Sequence, residues 1–503
     1  MYRVESKPFH EIKSDVLVVN VFRDEAKPPE DLVGLDELNG QLRGAFEDDV
    51  FAGELFDIIT FHRPKGLAAK RLVLVGSGKR SEFNFDVACQ VAGTAARHVL
   101  TVSTREIAFL MRGELPTERL GQACVEGTLL GTLEMGKYKT INFANTALDT
   151  IVLLPTKPSE EDQLRKGAER GLRYATATNY TRNLVNEPSN ILTPRRLADE
   201  ATTLGKGVGM KVEVLGPDRM LSMGMNALLG VGKGSDEPPQ LIVIRYQGAD
   251  SDSPTLALIG KGLTFDAGGI SLKDPDGMHY MKNDMAGAAA VLGAMKIIGE
   301  LKPKLNVLGI VAAAENLPGP RSQKPGDVVK ALNGKTIEVL DTDAEGRLVL
   351  ADAISYARQL GATYLLDLAT LTQSCVIALG EITTGVMGND ERWVTQVLKA
   401  ASNAGERMWQ LPMFREYREL IESEIADITN IANRKVIHSN VKPAGAIVGA
   451  TFLREFAGDT PWVHLDIAGT AWNSRRLGYL AVGPTGVGVR TLATLALSMD
   501  TNA

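Results

Sequence analysis

The stretch TIEVLDTDAEGRLVLADAISYARQLGATYLLDLA (336–369) contains an apolar run, a charged junction, a helical pattern and a second apolar run. Short continuous apolar runs are typical of strands buried on both faces, whereas LVLADAISYARQLG (348–361) has the apolar spacing of a helix. The order strand, helix, strand indicates an α/β fold with a parallel sheet. The unusual part is the junction, residues 341–347, which places three carboxylates and an arginine between two buried elements.

The same alternation extends through the rest of the second part of the chain. Further strands are predicted at QLIVIRY (240–246), TLALIG (255–260), NVLGIVAAA (306–314) and WVHLDI (462–467). Helices such as MAGAAAVLGAMKIIGEL (285–301) would cover the sheet on its faces. We therefore predict a larger C-terminal α/β domain, residues 175–503, with a mostly parallel central sheet flanked by helices.

The first part of the chain predicts a separate α/β domain, residues 1–165. Its strands are predicted at VLVVNVF (16–22), RLVLVGSG (71–78), REIAFLM (105–111) and TIVLLP (150–155), and its helices at residues 87–100 and 123–135. The polar segment 156–188 has the pattern of a long helix that could link the two domains, with a boundary near residues 160–175.

Composition restricts the class of protein. The chain has 503 residues, a net charge of −6 and three cysteines without a CxxC pair, which argues against a disulfide scaffold or a thiolate zinc site. The acidic balance disfavours a whole-surface nucleic-acid binder. The N-terminal stretch lacks the features of a secretory signal, and no segment approaches the length of a membrane span. We expect a cytoplasmic protein with no membrane partner.

Four carboxylates of the second domain follow or lie near predicted strand ends: Asp266, Asp284, Asp343 and Glu345. A single aspartate of this kind is more often a helix cap or a turn residue. Four clustered carboxylates would repel one another and be forced to protonate unless cations lie among them. Two divalent ions would balance the four charges, and oxygen ligands favour Mg²⁺ or Mn²⁺ with Zn²⁺ tolerated.

Three cations accompany these acids. Lys261 directly follows an apolar strand, so that it either extends to solvent or takes part in chemistry; as a metal ligand it would have to be a neutral amine. Lys273 lies in a glycine-flanked loop, where it could polarise a carbonyl. Arg347 follows the acidic junction closely enough to hold a small anion or an oxyanion. For a lone lysine or arginine, surface solvation is the more common role.

These residues occur in segments that resemble one known family. DTDAEGRL (341–348) resembles the NTDAEGRL signature of the leucyl aminopeptidases, the cytosol aminopeptidase family of metallopeptidases. Similar segments in the family order are NLVNEPSNILTP (183–194), GKGLTFDAGGISLK (260–273), MKNDMAGAAAVLGAM (281–295), AAENLPGP (313–320), KPGDV (324–328), LATLT (368–372), KPAGAIVGATFL (442–453) and HLDIAGTAW (464–472). The resemblance covers the whole second domain; the first domain is much less diagnostic.

The resemblance implies a metal-dependent exopeptidase that removes the N-terminal residue of peptides, with a leucine-type preference. Two divalent ions per subunit, Mn²⁺ or Zn²⁺ with Mg²⁺ or Co²⁺ as alternatives, would be held by Lys261, Asp266, Asp284, Asp343 and Glu345, with Asp266 and Glu345 bridging. Lys273 and Arg347 would be the catalytic cations. A bicarbonate ion bound by Gly346, Arg347 and Leu348 would act as the general base. A homohexamer is also implied, with residues 1–165 as its accessory or oligomerisation domain.

The chain departs from the family pattern near the predicted substrate site. Asp341 replaces the leading asparagine of the signature, and Gln373 stands where the family has glycine after LATLT. Ala267 and Ala286 replace residues that are commonly Ser, and Gly or Ser, respectively. None of these changes removes a predicted ligand, so we expect activity with an altered side-chain preference. The predicted pocket consists of Met278, Asp341, Thr370, Leu371 and Gln373.

Two other functions are compatible with parts of this pattern. A two-metal phosphoesterase would also use an oxygen-rich ligand set, and activity on an amino-acid anilide rather than a phosphate ester would exclude it. A DNA-binding regulator, a role that some bacterial relatives have, would need a basic stripe and would show salt-sensitive retention on DNA. DNA binding is compatible with the sequence but is not predicted from it.

Overall fold

The computed structural model of the chain describes residues 1–25, 42, 44–46, 50–100, 104–141, 148–433, 443–475 and 479–500. Lys442, the first residue of the family-like segment 442–453, lies outside them. The chain forms two compact units, one of Met1–Asn179 with Ser474–Val482 and one of Tyr180–Asn473 with Gly483–Ala503. The roles assigned to the domains 1–165 and 175–503 stay predictions.

The first unit is built on a six-stranded sheet. Its strands are β1 (Tyr2–Val4), β2 (Val16–Val21), β3 (Ile58–His62), β4 (Arg71–Gly76), β5 (Glu106–Leu110) and β6 (Thr150–Leu153). They lie in the order β1-β6-β5-β2-β4-β3, and all neighbours are parallel except β3 and β4. The four predicted strands and both predicted helices are present. β1 and β3 were missed because neither is a continuous buried apolar run.

The second unit contains an eight-stranded sheet. Its strands are β7 (Lys211–Leu215), β8 (Gln240–Gln247), β9 (Thr255–Asp266), β10 (Asn306–Asn316), β13 (Tyr364–Ala369), β14 (Thr384–Gly388), β15 (Met408–Gln410) and β17 (Trp462–Asp466). The order is β15-β14-β17-β13-β9-β10-β8-β7, and the four central strands β17, β13, β9 and β10 are mutually parallel. The predicted fold class is therefore confirmed.

The helices cover the sheets in both units. They are α1 (Phe85–Val99), α2 (Thr117–Gly131), α3 (Glu161–Asn186), α4 (Pro194–Val208), α5 (Pro217–Met223), α6 (Asn226–Gly232), α7 (Ala286–Leu301), α8 (Gly346–Gln359), α9 (Gln373–Leu379), α10 (Glu391–Ala404), α11 (Gly445–Ala457) and α12 (Val489–Ser498). Short 3-10 helices are Phe9–Glu11, Arg80–Glu82, Pro158–Glu160, Met278–Met285 and Arg415–Ile421. Helix α7 is buried along almost its whole length, in keeping with its alanine-rich apolar sequence.

One predicted strand belongs to a different sheet. The run TIEVL forms β12 (Thr336–Glu338), which pairs with β11 (Val328–Lys330) and β16 (Ile428–Thr429) in a separate three-stranded sheet. The prediction that it joins the large sheet is wrong, because only Ile337 of the three strand residues is buried. A further two-stranded ribbon consists of β18 (Trp472–Asn473) and β19 (Gly483–Pro484).

The parallel strands bring their carboxyl ends to one edge of the large sheet. β9 extends to Asp266, six residues beyond the predicted end of that strand, so that Lys261 lies within it and pairs with Ala312 of β10. Loops that follow parallel strands at this edge are the usual place for a working site. No helix among the described ranges is long and apolar enough to cross a membrane.

Candidate metal centre

Lys261 is the buried cation at the middle of the site. Its side chain projects from β9 and is almost fully enclosed, with 3% of the residue exposed. Its Nζ lies 2.8 Å from Asp284 Oδ1 and 2.8 Å from Glu345 Oε1, and donates to the carbonyl of Thr370 at 2.9 Å. The lysine therefore does not extend to solvent. It joins a carboxylate that precedes α7 to one that precedes α8.

Gly346 makes room for this lysine. A Cβ atom at Gly346 would lie 2.7 Å from Cε of Lys261 and 2.8 Å from its Nζ, which is closer than real Cβ contacts allow. A side chain at this first residue of α8 would therefore displace the end of Lys261 from its position beneath the helix. The glycine in the sequence AEGR is thus explained by packing against Lys261, whereas the other residues of the junction contribute charge.

Lys273 forms a second bridge nearer the surface. Its Nζ lies 2.9 Å from Asp266 Oδ2 and 2.5 Å from Asp343 Oδ1. The chain reverses between Asp266 and Lys273 through Gly268 and Gly269, whose φ angles of +87° and +68° are in the region that favours glycine. The tight turn brings Lys273 back over the end of β9.

The site holds more negative charge than its own lysines neutralise. Four carboxylates face two ammonium groups. Asp284 Oδ2 and Glu345 Oε2 are buried and have no hydrogen-bond partner in the described part of the chain. One oxygen each of Asp266, Asp343 and Glu345 lies within 4.8 Å of the others. Unsatisfied buried oxygens of this kind are unfavourable without a cation, so the donor set fits divalent metal ions.

The electrostatics of the cluster lead to the same conclusion. Burial and the neighbouring Asp266 raise the pKa of Glu345 to about 8, against the opposing effect of Lys261. Burial likewise raises the pKa of Asp284 to about 6. Burial alone would lower the pKa of Lys261, but Asp284, Glu345 and Asp266 hold it well above its ordinary value. Without further cations, the acids are thus too crowded to ionise fully and the lysine stays charged.

Arg347 lies in the first turn of α8, with 6% of the residue exposed. Its Nη1 donates to the main-chain carbonyl of Asn430 at 2.7 Å, and burial lowers its pKa to about 10. Its Nε is buried without a partner in the described residues, which fits a small anion beside it. The main-chain amide of Leu348 donates to Glu345 O at 2.8 Å, so the part of Leu348 in an anion site stays a prediction.

The predicted pocket residues differ in their placement. The hydroxyl of Thr370 donates to Asp284 Oδ1 at 2.7 Å, and Asp341 Oδ1 accepts the amide of Asp343 at 3.0 Å, so both are part of the cluster itself. Leu371 is partly buried after β13, and Gln373 is exposed at the start of α9. Met278 is partly exposed at the start of its 3-10 helix, and its part in a pocket stays a prediction.

Two asparagines that the sequence interpretation missed lie beside the acids, Asn316 in contact with Asp266 and Asn430 in contact with the backbone of the junction. Asn316 Nδ2 donates to Asp266 Oδ1 at 2.8 Å and to the carbonyl of Thr342 at 3.0 Å. Asn430 contacts the junction from the other side. Asn316 was within a quoted family-like segment, whereas no sequence pattern distinguishes Asn430, because its partners lie about 90 residues earlier in the chain.

His464, the first residue of the family-like segment 464–472, is a buried histidine with a partner on one of its two ring nitrogens. It is fully buried on β17, and its Nδ1 lies 2.6 Å from Asp367 Oδ1. Its Nε2 has no hydrogen-bond partner in the described ranges. Asp367 also accepts a hydrogen bond from Trp462 Nε1 at 2.6 Å, which locks the pair between β13 and β17.

Comparison with known proteins places both parts of the chain in one family. Residues 179–493 match the "Cytosol aminopeptidase family, catalytic domain", and residues 18–142 match the N-terminal domain of the same family. A "Probable cytosol aminopeptidase" of Solibacter usitatus is 46% identical over 498 residues, covering 98% of each chain. One of Alkaliphilus oremlandii is 43% identical over 496 residues, covering 97% of this chain and 98% of the relative.

A solved structure has the same fold. It is described as "Bottromycin maturation enzyme BotP in complex with Mn" and superposes with a TM-score of 0.84 at 30% sequence identity. The match covers 97% of this chain and 100% of the other chain. The similarity therefore extends over nearly the full length of both proteins.

Proposed function

The chain belongs to the cytosol aminopeptidase family and is a metal-dependent aminopeptidase, and we propose that two divalent cations at the described cluster carry out its reaction. The proposed ligands are Lys261, Asp266, Asp284, Asp343 and Glu345. The observation that carries the proposal is the pair of buried, unpartnered oxygens on Asp284 and Glu345 beside a surplus of carboxylates. An isolated buried charge is costly, whereas a coordinated one is not.

Lys261 has to change its protonation state to join such a ligand set. In the described geometry its ammonium group compensates Asp284 and Glu345. A metal ligand must offer a lone pair, so the bound form is the neutral amine and one proton is released on binding. Calorimetry in buffers of different ionisation enthalpy measures the total number of protons released, to which Lys261 and any protonated acid of the cluster contribute, and we expect at least one proton per chain in the wild type. Metal binding without any released proton would exclude Lys261 as a ligand.

The chemistry proposed for the site is hydrolysis of the first peptide bond. Divalent ions in this position would lower the pKa of a shared water towards neutrality and polarise the scissile carbonyl. Lys273, held by Asp266 and Asp343 at the outer side of the cluster, would donate to the carbonyl oxygen as negative charge develops on it. Selectivity for the N-terminal residue of the peptide would follow because only that residue has a free α-amino group, which can act as a further metal ligand.

Arg347 would hold a bicarbonate ion whose chemistry is proton transfer between the attacking water and the leaving amine. The unpartnered Nε of Arg347 and the adjacent start of α8 at Gly346 support an anion at this place. Replacement of Arg347 by alanine should abolish any dependence of the rate on added bicarbonate. A bicarbonate response that is unchanged in this variant would exclude the assignment.

The metal is proposed to be Mn²⁺ or Zn²⁺, with Mg²⁺ or Co²⁺ as alternatives. The description of the similar solved structure with Mn supports the first choice, as do the oxygen ligands. The test is hydrolysis of a panel of aminoacyl anilides after chelation and reloading with each metal. Activity restored by one of these ions and a preference for leucine-type residues would support the proposal, and phosphate-ester hydrolysis without anilide hydrolysis would exclude it.

The assembly and the surroundings of the enzyme are separate proposals that rest on the family resemblance. We propose a homohexamer that acts on peptides with a free N-terminus in the cytoplasm. Light scattering of the purified full-length chain measures the number of subunits directly. If the purified chain is a monomer with full activity, the homohexamer is not needed for hydrolysis and the proposal is excluded.

A further inference from the structure

Asn430 lies where the small three-stranded sheet meets the acidic junction. The residue is fully buried and directly follows β16. Because β16 pairs in parallel with β12, and Asn430 N donates to Glu338 O at 3.0 Å, Asn430 is brought alongside the first residues of the junction. The three-stranded sheet thus positions Asn430 beside the acidic junction.

The side-chain amide of Asn430 contacts both ends of residues 340–344. Its Oδ1 accepts the amide of Leu340 at 2.8 Å and, more weakly, that of Asp341 at 3.3 Å. Its Nδ2 donates to the carbonyl of Asp341 at 2.6 Å and to that of Ala344 at 3.4 Å. A side chain with both a donor and an acceptor is required for this pattern, which neither an acid nor an apolar residue can reproduce.

The main chain of the same residue holds the arginine. The carbonyl of Asn430 accepts Nη1 of Arg347 at 2.7 Å, so one residue contacts the backbone around Asp343 and Glu345 as well as the guanidinium group beyond them. Residues that orient metal ligands by hydrogen bonding, without touching the metal themselves, contribute substantially to metal affinity and activity. The Asn430 side chain makes four hydrogen bonds to residues 340–344, and all four are removed together when the amide is lost.

We propose that Asn430 is a positioning residue that fixes the acidic junction and Arg347 in one arrangement, so that the metal centre is formed before the ions bind. The inference rests on the proposed two-metal function. It predicts that loss of the Asn430 amide lowers metal affinity and turnover more than it affects substrate binding or the fold.

The chain offers a matched control in Asn389, which follows β14. Asn389 Oδ1 accepts the amide of Trp462 at 2.8 Å, and its Nδ2 donates to the carbonyls of Thr460 and Gly458 at 2.9 and 3.1 Å. It has the same hydrogen-bonding chemistry to three backbone groups. Its partners precede or begin β17, at the end of the large sheet opposite to the acidic cluster.

The experiment compares the full-length wild type with Asn430→Ala, Asn430→Asp and Asn389→Ala. Calorimetric titration with Mn²⁺ gives the metal affinity, hydrolysis of leucine p-nitroanilide gives kcat and KM, and thermal unfolding of the chelated protein gives Tm. We expect both Asn430 variants to lose about 10- to 100-fold in Mn²⁺ affinity and in kcat, with KM within about threefold of the wild type. Asn389→Ala should lower Tm but keep both values within about twofold of the wild type.

The Asn430→Asp variant keeps the side-chain shape and the hydrogen-bond acceptor but loses the donor. If Asn430→Ala does not fold, the comparison is made with Asn430→Asp alone. Wild-type Mn²⁺ affinity and kcat in the folded Asn430 variants would overturn the positioning role while leaving the proposed function intact. An equal loss in Asn389→Ala would also overturn it, since the effect would then be general destabilisation. A wild type that binds no Mn²⁺ and hydrolyses no anilide would overturn both proposals.

Discussion

Helix α8 has two buried acids whose surroundings differ. Glu345, which immediately precedes the helix, is 2% exposed, and Asp352, in its second turn, is fully buried. Asp352 Oδ2 accepts the amide of Leu228 at 2.9 Å and its Oδ1 accepts that of Leu332 at 2.8 Å. Glu345 Oε1 contacts Lys261, but Oε2 has no hydrogen-bond partner among the described residues.

This difference separates a structural acid, Asp352, from a proposed ligand, Glu345. The backbone amides around Asp352 satisfy both of its oxygens, so the residue ties α8 to α6 and to the turn after β11. In Glu345, by contrast, one of the two carboxylate oxygens has no hydrogen-bond partner among the described residues. Leaving a buried polar group without a partner is unfavourable. A protein keeps such a group where a cation or a substrate completes it. The two acids should therefore respond in opposite ways to substitution.

The largest expected effect is the loss of turnover in Glu345→Ala or Asp343→Ala. Either change should lower kcat by more than about 100-fold, since even residues behind the ligands contribute 10- to 100-fold. The fold and the assembly should persist because the cluster has surplus negative charge. Anilide hydrolysis and circular dichroism measure the two outcomes. If either variant kept most of its activity, the ligand assignment would be wrong.

Asp352→Ala should give the opposite result. Two buried amides, those of Leu228 and Leu332, lose their acceptor, and each unsatisfied donor costs about 1–3 kcal/mol. We expect the free energy of unfolding in urea to fall by about 2–5 kcal/mol, with kcat per folded molecule within about twofold of the wild type. A variant with normal stability and lost activity would contradict the distinction between the two acids.

The pH dependence of stability offers a weaker test of the same comparison. Burial raises the pKa of Asp352 to about 7, although the amides of Leu228 and Leu332 oppose the shift. The folded state thus binds this proton more tightly than the unfolded state. The contribution of Asp352 is complete below about pH 4 and is lost as the pH rises through about 7.

Urea unfolding of the chelated wild type and of Asp352→Asn measures this effect between about pH 5 and pH 8. The free energy of unfolding of the wild type should fall relative to that of the variant as the pH rises. A difference that stays constant, or that grows in favour of the wild type, would show that Asp352 is already ionised in the folded protein at pH 5.

The smallest expected effect is that of Asp341→Asn, which introduces the asparagine of the signature that this segment resembles. Asparagine can still accept the amide of Asp343, so the turn should remain. The loss of one negative charge should raise activity several-fold on peptides with an acidic second residue and lower Mn²⁺ affinity slightly. Peptides with a neutral second residue serve as the control. Equal changes on both peptide classes would exclude a direct charge effect of Asp341 on the substrate.

Much of the architecture could be predicted from sequence because it depends on local patterns. The central strands are continuous apolar runs, α7 is a long alanine-rich segment, and the charged loops follow strand ends. The edge of the parallel strands explains the position of Lys261 and Asp266 on β9, whereas Asp343 and Glu345 follow β12 of the separate sheet and meet them through contacts between distant segments. Their roles as ligands stay predictions until a metal is bound.

The remaining features depend on contacts between distant segments. TIEVL has the composition of a central strand, but its sheet is decided by pairing with β16 about 90 residues later. Asn430 acts through backbone groups, which any sequence provides, so it has no local signal. Asn316 donates to the side chain of Asp266, which lies 50 residues earlier in the chain. The close approach of Gly346 to Lys261 likewise could not be predicted without knowing how α8 packs on β9.

The most direct test of the account is a calorimetric titration of the chelated full-length protein with Mn²⁺, performed in parallel on Glu345→Ala. The account predicts saturable binding of two ions per chain in the wild type and the loss of at least one of them in the variant. Absence of saturable binding in the wild type, or an unchanged titration in Glu345→Ala, would contradict the claim that the buried acids at this edge exist to hold metal.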